Sequence, residues 1–281
     1  MSVERVTYAD SRVYVNNILL TGISSCEINA TREFESLSSL LSLNTVDKIL
    51  KSDQKPQVTL SWIVGEESSD PFFDFETNGI LSVDSFTIKK RDILGTLEAT
   101  GCFLTSYSVD ASVGSLITAN ASYEALGYEF TDDGKLNIAD QTSDYYRAFV
   151  PSSIQLSSNF SEGDIFSFPI QSFQISVPIQ RKTIKKVGDL NAQYRYPVFP
   201  AEASISFSAI KNEITGLDFS KIVLEKGNFQ IEMLGCDNPS KTYVLDNCSL
   251  NSVSESISTD EKALINFEYS STIIGNSFLY Y

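Results

Sequence analysis

Apolar and polar residues alternate with a period of two along much of this 281-residue chain. Strict alternation is typical of strands in antiparallel sheets, which turn one face to a core and the other to water. The pattern therefore predicts a mainly β protein. The apolar positions of six predicted strands are Cys26, Ile28 and Ala30; Val58, Leu60 and Trp62; Ile117, Ala119, Ala121 and Tyr123; Phe173, Ile175 and Val177; Ala203, Ile205 and Phe207; and Ala263, Ile265, Phe267 and Tyr269.

The alternating pattern occurs twice. ISSCEINA (23–30) recurs as IQSFQISV (170–177), and QVTLSWIV (57–64) aligns with EASISFSAI (202–210) after a slip of two residues. Near the end of each copy, residues 102–124 align without a gap with residues 248–270 and pair Cys102 with Cys248. Three blocks in the same order predict a tandem duplication of a domain of roughly 110–130 residues.

The predicted fold class is two tandem homologous β-sandwich or open-barrel domains, each with a short helix and a long inter-strand loop. The domains are predicted at 1–125 and 161–281, and residues 126–160 form a connecting segment or an inserted hairpin. Apolar spacing predicts short helices in 36–52 and 216–227. The long loops are 32–55 and 179–200.

Composition excludes several classes of function. The chain has 21 Lys and Arg against 36 Asp and Glu, and a net charge of −15 argues against simple nucleic-acid binding. It has no histidine, which excludes a Ser-His-Asp triad and a histidine-ligated metal. A glycine-rich phosphate loop is also missing. We expect no catalytic residues, no metal and no cofactor, although an enzyme with an acidic pair on a β scaffold stays a third possibility.

Targeting and cysteine patterns point to an intracellular origin. No apolar run approaches the ~20 residues of a membrane span, and the first residues lack the layout of a secretory signal. We therefore expect synthesis in the cytoplasm and no membrane partner. Four cysteines are too few for a disulfide framework, and Cys102 and Cys248 are predicted as small core residues.

The polar faces of the predicted strands consist of Ser, Thr, Asn, Gln and Glu with almost no Lys or Arg. A surface past which DNA slides should be hydrated, neutral to acidic and free of cations that bind phosphate. The composition therefore suggests the lining of a channel. An ordinary solvent-exposed face rich in serine is the alternative.

The order of these segments resembles the tail tube proteins of tailed bacteriophages. The resemblance rests on a first strand (ISSCEINA or IQSFQISV), a long loop, a second strand (QVTLSWIV or EASISFSAI), a short helix and a closing hairpin (CFLTSYSV…LITANASYE). The loop RKTIKKVGDLNAQYRYPVFP (181–200) is the segment most similar to that family. The resemblance covers most of both copies but not residues 126–160.

This resemblance implies a virion protein that assembles with copies of itself into stacked rings around a channel for DNA. Each domain would add a four-stranded sheet to a barrel, and either a trimer with pseudo-six-fold symmetry or a hexamer would result. The implied partners are the tape measure, baseplate and terminator proteins of the tail, and DNA that passes without sequence-specific binding. A baseplate-hub, tail-completion or injection-system tube protein of the same fold stays open.

The resemblance also assigns residues to two roles. The long loops are expected to make subunit contacts through Leu37, Leu40, Leu41, Tyr194, Arg195, Tyr196 and Phe199, or to fold back over their own core. The proposed lumen face, or else plain solvent surface, comprises Glu27, Asn29, Thr59, Ser61, Asn120, Ser122, Glu124, Gln174, Ser176, Ser204, Ser206, Asn266 and Glu268.

A different class of protein fits the same pattern. A two-domain β-sandwich binding module, such as an adhesin, would show the same alternation and serine-rich faces. Such a module more often carries a secretion signal or disulfides, and the sequence shows neither.

Overall fold

The described part of the chain is mainly β-strand. The computed structural model describes residues 11–20, 22–31, 34–38, 45–50, 55–64, 86–92, 95–132, 151–160, 165–187, 192–210, 227–235, 240–256, 263–273 and 278–280. The strands are β1 (Arg12–Val15), β2 (Ile18–Leu19), β3 (Ile23–Thr31), β4 (Phe34–Ser38), β5 (Thr45–Leu50), β6 (Lys55–Ile63), β7 (Phe86–Asp92), β8 (Gly95–Ser112), β9 (Thr118–Glu124), β10 (Gly127–Thr131), β11 (Pro151–Phe160), β12 (Ile165–Pro178), β13 (Arg181–Ile184), β14 (Tyr194–Pro197), β15 (Ala201–Ile210), β16 (Gly227–Gly235), β17 (Ser240–Ser256), β18 (Leu264–Ile273) and β19 (Phe278–Tyr280).

Strands β11 to β19, which we call the second half, form a closed barrel. The pairing order is β11, β16, β17, β18, β15 and β12, and β12 pairs with β11 again, so the ring has no open edge at this point. All of these pairs are antiparallel. Closure of a sheet on itself satisfies the backbone groups that an edge strand leaves unpaired.

Strands β1 to β10, the first half, follow the same order. β1 pairs with β7, and the series continues through β8, β9 and β6 to β3. β2 pairs with β1 and lies shortly before β3 along the chain. Together β2 and β3 therefore occupy the place that the single strand β12 has in the second half.

The two halves share the positions of their irregularities as well as their strand order. The bulge between Ile23 and Ser25 against β6 matches the one between Ile170 and Ser172 against β15. Ser61 pairs with Asn120 as Ser208 pairs with Asn266, so Ser61 corresponds to Ser208. Their separation along the chain equals that between Ser25 and Ser172. The two-residue slip that the sequence alignment placed before residue 57 is therefore wrong, because strand pairing and not side-chain similarity defines the correspondence.

One long strand in each half turns a corner of the barrel. The first part of β8 pairs with β7 and its second part with β9, and β17 pairs in the same way with β16 and β18. At the corner, Gly101 has φ +62° and Asn247 has φ +54°. Glycine and asparagine are the residues that adopt this left-handed conformation most readily, so the sequence places them where the strands bend.

The core contains most of the apolar positions of the alternation pattern, and the exceptions are Ala263 and the three positions of β3. Val58, Leu60, Ala119 and Ala121 are buried, and most buried apolar side chains of both halves belong to one connected cluster. Cys102 and Cys248 are buried as predicted, and each thiol donates a hydrogen bond to the carbonyl oxygen three residues before it. In the second half, stacked aromatic rings of Phe207, Phe267 and Tyr269 fill the barrel.

The helix predicted in 36–52 is wrong where the structure describes it. Residues 34–38 and 45–50 are instead the two strands of a hairpin, β4–β5. An isolated short helix is marginal, whereas the β-branched Thr45, Val46 and Ile49 favour a strand that has an antiparallel partner nearby. The second long loop contains a hairpin in the same place, β13–β14. Residues 216–226 of the other predicted helix lie outside the described residues, and Gly227 begins β16.

The segment 126–160 contributes strands at both of its ends. β10 pairs with the first part of β8, and β11 pairs with β12 and β16. β19 pairs with β17 at the same positions as β10 with β8, so that Tyr128 and Phe130 correspond to Phe278 and Tyr280.

Candidate functional site: a polar sheet face and an internal joint

An eight-stranded sheet runs through both halves of the molecule. Its order is β3, β6, β9, β8, β12, β15, β18 and β17. The two halves meet where Ser106–Ser112 of β8 pair with Ser172–Pro178 of β12, and we call this contact the internal joint. One face of the sheet packs on the core, and the other we call the polar face.

A row of serine and asparagine crosses the polar face from one edge of the sheet to the other. Cross-strand pairing connects every member to the next, so the row spans all eight strands without an apolar or charged side chain. Its members, in order, are Ser25, Ser61, Asn120, Ser108, Ser176, Ser204, Ser270 and Ser249.

The neighbouring rows are polar and acidic. One continues from Thr118 through Asp110, Gln174, Ser206 and Glu268 to Ser252. Another joins Ser112, Ser172, Ser208, Asn266 and Ser254, and a third joins Glu27, Thr59, Ser122, Ser106 and Pro178. These four rows contain three carboxylates and neither lysine nor arginine. A phosphate backbone would therefore find no cation to bind here.

Hydrogen bonds between neighbouring strands hold the polar side chains in place. Gln174 Nε2 donates to Asp110 Oδ1 at 2.7 Å across the internal joint, and Ser252 Oγ donates to Glu268 Oε2 at 3.1 Å. The hydroxyls of Ser172 and Ser208 lie 2.7 Å apart. Such cross-strand contacts restrain the polar side chains on this face of the sheet.

A cavity of about 510 Å³ opens on this face where the two halves meet. Its polar lining comes from the two rows that contain Asp110 and Ser112, and Leu116 of the β8–β9 turn borders it. Side chains of five strands contribute to one depression, so the polar face is concave at the internal joint.

All thirteen residues predicted for the lumen face are exposed or half-buried, and none is in the core. Asn29 and Glu124 lie in one further row, at the end of the face. The predicted lumen face omitted the polar side of β8, namely Ser106, Ser108, Asp110 and Ser112. Their alternation with the buried Tyr107, Val109 and Ala111 was the signal that could have identified them.

Two arginines of the β13–β14 hairpin extend the internal joint. Arg195 is 1% exposed, and its Nη1 lies 2.7 Å from Glu124 Oε2 in the first half. The same guanidinium donates to Thr183 Oγ1 at 3.0 Å and to the carbonyl oxygen of Ala125 at 3.4 Å. Glu124 compensates the charge of the buried guanidinium, although its Nε has no hydrogen-bond partner among the described residues, and loss of the carboxylate would leave the cation uncompensated.

Arg181 makes the second of these contacts. Its Nε donates to the carbonyl oxygen of Leu104 at 2.7 Å, and its guanidinium lies 5.6 Å from the centre of the Phe103 ring. Burial lowers the pKa of Arg181 to about 10, and the charge of Glu124 opposes this shift. The hairpin of the second half is thus attached to the first half by charge, hydrogen bonds and a ring contact.

The other residues predicted for subunit contacts are placed differently. Tyr194, Tyr196 and Phe199 are exposed in the segment that contains β14, and the rings of Tyr194 and Tyr196 are 6.0 Å apart. Leu37 belongs to β4, and Leu40 and Leu41 lie outside the described residues.

Both outer edges of the sheet have the strand types that meet at the internal joint. β3 corresponds to β12 and β17 corresponds to β8, and among the described residues β3 pairs with β6 alone while 249–256 of β17 pair with β18 alone. In β3, Cys26 and Ile28 are half-buried and Ala30 is exposed, although their counterparts Phe173, Ile175 and Val177 are buried. The edges therefore leave core-facing side chains uncovered.

No family model matches this chain, and no curated protein is significantly similar to it. Within the part of the chain that the structure describes, no helix has the length and apolar character to cross a membrane. The same residues contain no group of three or more His, Cys, Asp or Glu placed to hold a metal ion.

Proposed function

We propose that this protein is a structural subunit of a hollow tube of the kind found in bacteriophage tails. Copies would join edge to edge, with β17 of one copy beside β3 of the next, in the way that β8 joins β12 within the chain. The polar face would then line a closed channel through which DNA passes during ejection, and the chain would be a component of the virion.

A comparison of β17 with β8 carries this proposal. Tyr107 of β8 is 1% exposed beside β12, whereas Val253, at the register position of Tyr107, is 41% exposed. An edge strand with uncovered apolar positions is a template for another strand. Since β3 is the counterpart of β12, a second copy offers the strand that fits.

The number of strands supports a ring of three copies. Three sheets of eight strands make a barrel of 24 strands, and a spacing of about 4.8 Å with a tilt of about 40° gives a diameter of roughly 50 Å between backbones. Such a lumen is wider than a DNA duplex. Six copies would double the diameter. A hexamer in which the second half only decorates the outside fits less well, because both halves belong to one sheet.

The strand correspondence between the halves supports a duplicated unit. Each half offers four strands to the eight-stranded sheet, with matching registers and bulges. Three copies of a duplicated chain would produce six equivalent sheets, hence pseudo-six-fold symmetry. Two homologous tandem domains are therefore part of the proposal.

Electron microscopy of the purified protein over a concentration series tests the proposal. We expect hollow rings or tubes, with a mass of three chains for the smallest ring. Six chains would contradict the trimer. Rings that never stack would indicate a hub or tail-completion protein, and a strictly monomeric protein at every concentration would contradict assembly and favour a binding module.

Charge reversal on the polar face tests its role in DNA passage. Glu27→Lys with Glu268→Lys places two cations per chain on the proposed lumen, where they would bind phosphates and slow the DNA. We expect intact rings and impaired genome delivery by particles assembled with this variant. Glu27→Gln with Glu268→Gln is the control, and equal delivery by both variants would contradict the lumen assignment.

A further inference from the structure

A ring of three copies contains two kinds of joint in alternation, one within each chain and one between chains. The internal joint is visible in the structure. The residues of the joint between copies can be identified from the strand correspondence, and this step rests on the proposed function.

The hairpin β4–β5 follows β3 along the chain as β13–β14 follows β12. Arg195 pairs with Thr183 in one hairpin, and Lys48 pairs with Ser36 in the other. Ser36 precedes Thr183, and Lys48 precedes Arg195, by the same number of residues by which Ser25 precedes Ser172. Lys48 therefore occupies the register position of Arg195. The cation of the Arg195–Glu124 ion pair therefore has a cationic counterpart in β4–β5, although lysine lacks the planar guanidinium.

The second partner of the ion pair is not retained. Glu124 pairs with Phe103 across β9 and β8, and Ser270 pairs with Ser249 at the equivalent position across β18 and β17. Ser270 thus replaces the carboxylate of Glu124, and Ser249 replaces the ring that Arg181 covers. Ser270 Oγ donates to Asn251 Oδ1 at 3.0 Å within its own half.

We infer that the joint between copies is a weakened version of the internal joint, and that Ser270 in place of Glu124 is a main cause. The partner at this surface is a second copy of the chain, whose β4–β5 hairpin has Lys48 at the register position that Arg195 has in β13–β14. A ring would therefore form and open at the joints between copies, while the internal joints stay closed. Such a chain remains a separate folded unit at low concentration and assembles when its concentration rises.

Restoration of the missing carboxylate tests this inference. Ser270→Glu gives the joint between copies the same charge pair as the internal joint, and we expect rings to form at a concentration about fivefold lower than wild type at low salt. High salt should remove most of this gain, because it screens a partly exposed pair. The measurement is sedimentation velocity over a concentration series at two salt concentrations.

Two further variants make the result specific. Ser270→Gln loses the same hydrogen bond to Asn251 without adding charge, so it should not promote assembly. In Ser270→Glu with Lys48→Gln, the gain should disappear. The inference would be overturned if wild type forms rings but Ser270→Glu does not form them at a lower concentration. It would also be overturned if the lower concentration persists in Ser270→Glu with Lys48→Gln. Either outcome leaves the proposed function standing. Absence of wild-type rings at every concentration would overturn both.

Discussion

The internal joint and the outer edge of β17 present the same strand positions in two different environments. Beside β12, Tyr107 is buried against the core, whereas its counterpart Val253 is 41% exposed at the edge. Both residues pair with a core residue on the inner side, Ala121 for Tyr107 and Phe267 for Val253. The presence of a partner strand therefore decides burial here, and the proposed function assigns the second strand at this edge to another copy of the chain.

The largest expected effect comes from a charge at this edge. Val253→Asp should change the stability of the isolated chain by less than about 1 kcal/mol, because the side chain is partly solvated. In a ring, the carboxylate would be buried without a partner at a cost of several kcal/mol per joint. We expect complete loss of rings in electron microscopy, with an unchanged thermal transition by circular dichroism.

Ser254→Asp is the matched control for this variant, because Ser254 is the adjacent residue on the polar face. It adds the same charge to the same strand but leaves the covered side of the joint unchanged. Rings of Val253→Asp that are as abundant as those of Ser254→Asp would show that β17 is not the assembly edge.

The ion pair at the internal joint has no carboxylate at the equivalent position of the second half. Glu124→Ala leaves the guanidinium of Arg195 buried without its carboxylate, and we expect the free energy of unfolding to fall by about 2–3 kcal/mol in urea titrations. Ser270→Ala, at the equivalent position, should cost less than about 0.5 kcal/mol. Similar losses in both variants would mean that Arg195 and Glu124 do not distinguish the joints.

The alternation of apolar and polar residues was sufficient to predict the faces of the strands. The period assigned Ser61, Asn120, Ser204 and Asn266 to a polar face, and the structure places all four on the same side of one sheet. The sequence could not show that β8 and β12 join the two halves, because periodicity carries no information about which distant strands pair.

The hairpins were missed for a related reason. Leu37, Val46, Ile49 and Leu50 have a spacing that suits a helix, and the choice of β4–β5 depends on the pairing between the two segments. The role of Arg195 was also only partly predictable. An arginine between two tyrosines suggested an anchor, but the carboxylate that it meets is 71 residues away in the chain.

The corners of β8 and β17 differ in the residue that adopts the left-handed conformation. Gly101→Val forces a β-branched residue to φ +62° and brings its Cβ to 2.7 Å from Leu126. We expect a loss of about 2 kcal/mol in urea unfolding. Asn247→Gly should change stability by only about 0.3 kcal/mol, since both residues tolerate this conformation.

Gly114→Val is the control for backbone strain without a clash, because Gly114 has φ +78° and a Cβ there would meet nothing within 4 Å. If Gly101→Val loses no more stability than Gly114→Val, the clash with Leu126 does not contribute to the loss.

The two corners should differ least in their response to alkaline pH, because both contain the same buried thiol. Burial raises the pKa of Cys102 and of Cys248 from 9.0 to about 12. Above pH 9 the unfolded chain releases these protons and the folded chain retains them, so stability is full below pH 9 and falls as the pH rises toward 12. Each thiol should contribute a slope of about 1.4 kcal/mol per pH unit in this window.

Cys102→Ala and Cys248→Ala should each reduce the slope of unfolding free energy against pH by that amount. Burial also raises the pKa of Cys26 and of Tyr269. Because these two groups are unchanged in both variants, part of the dependence of stability on pH should remain. Unequal reductions would show that the two corners, which share a hydrogen bond from the thiol to the third preceding carbonyl, are not equivalent in solution.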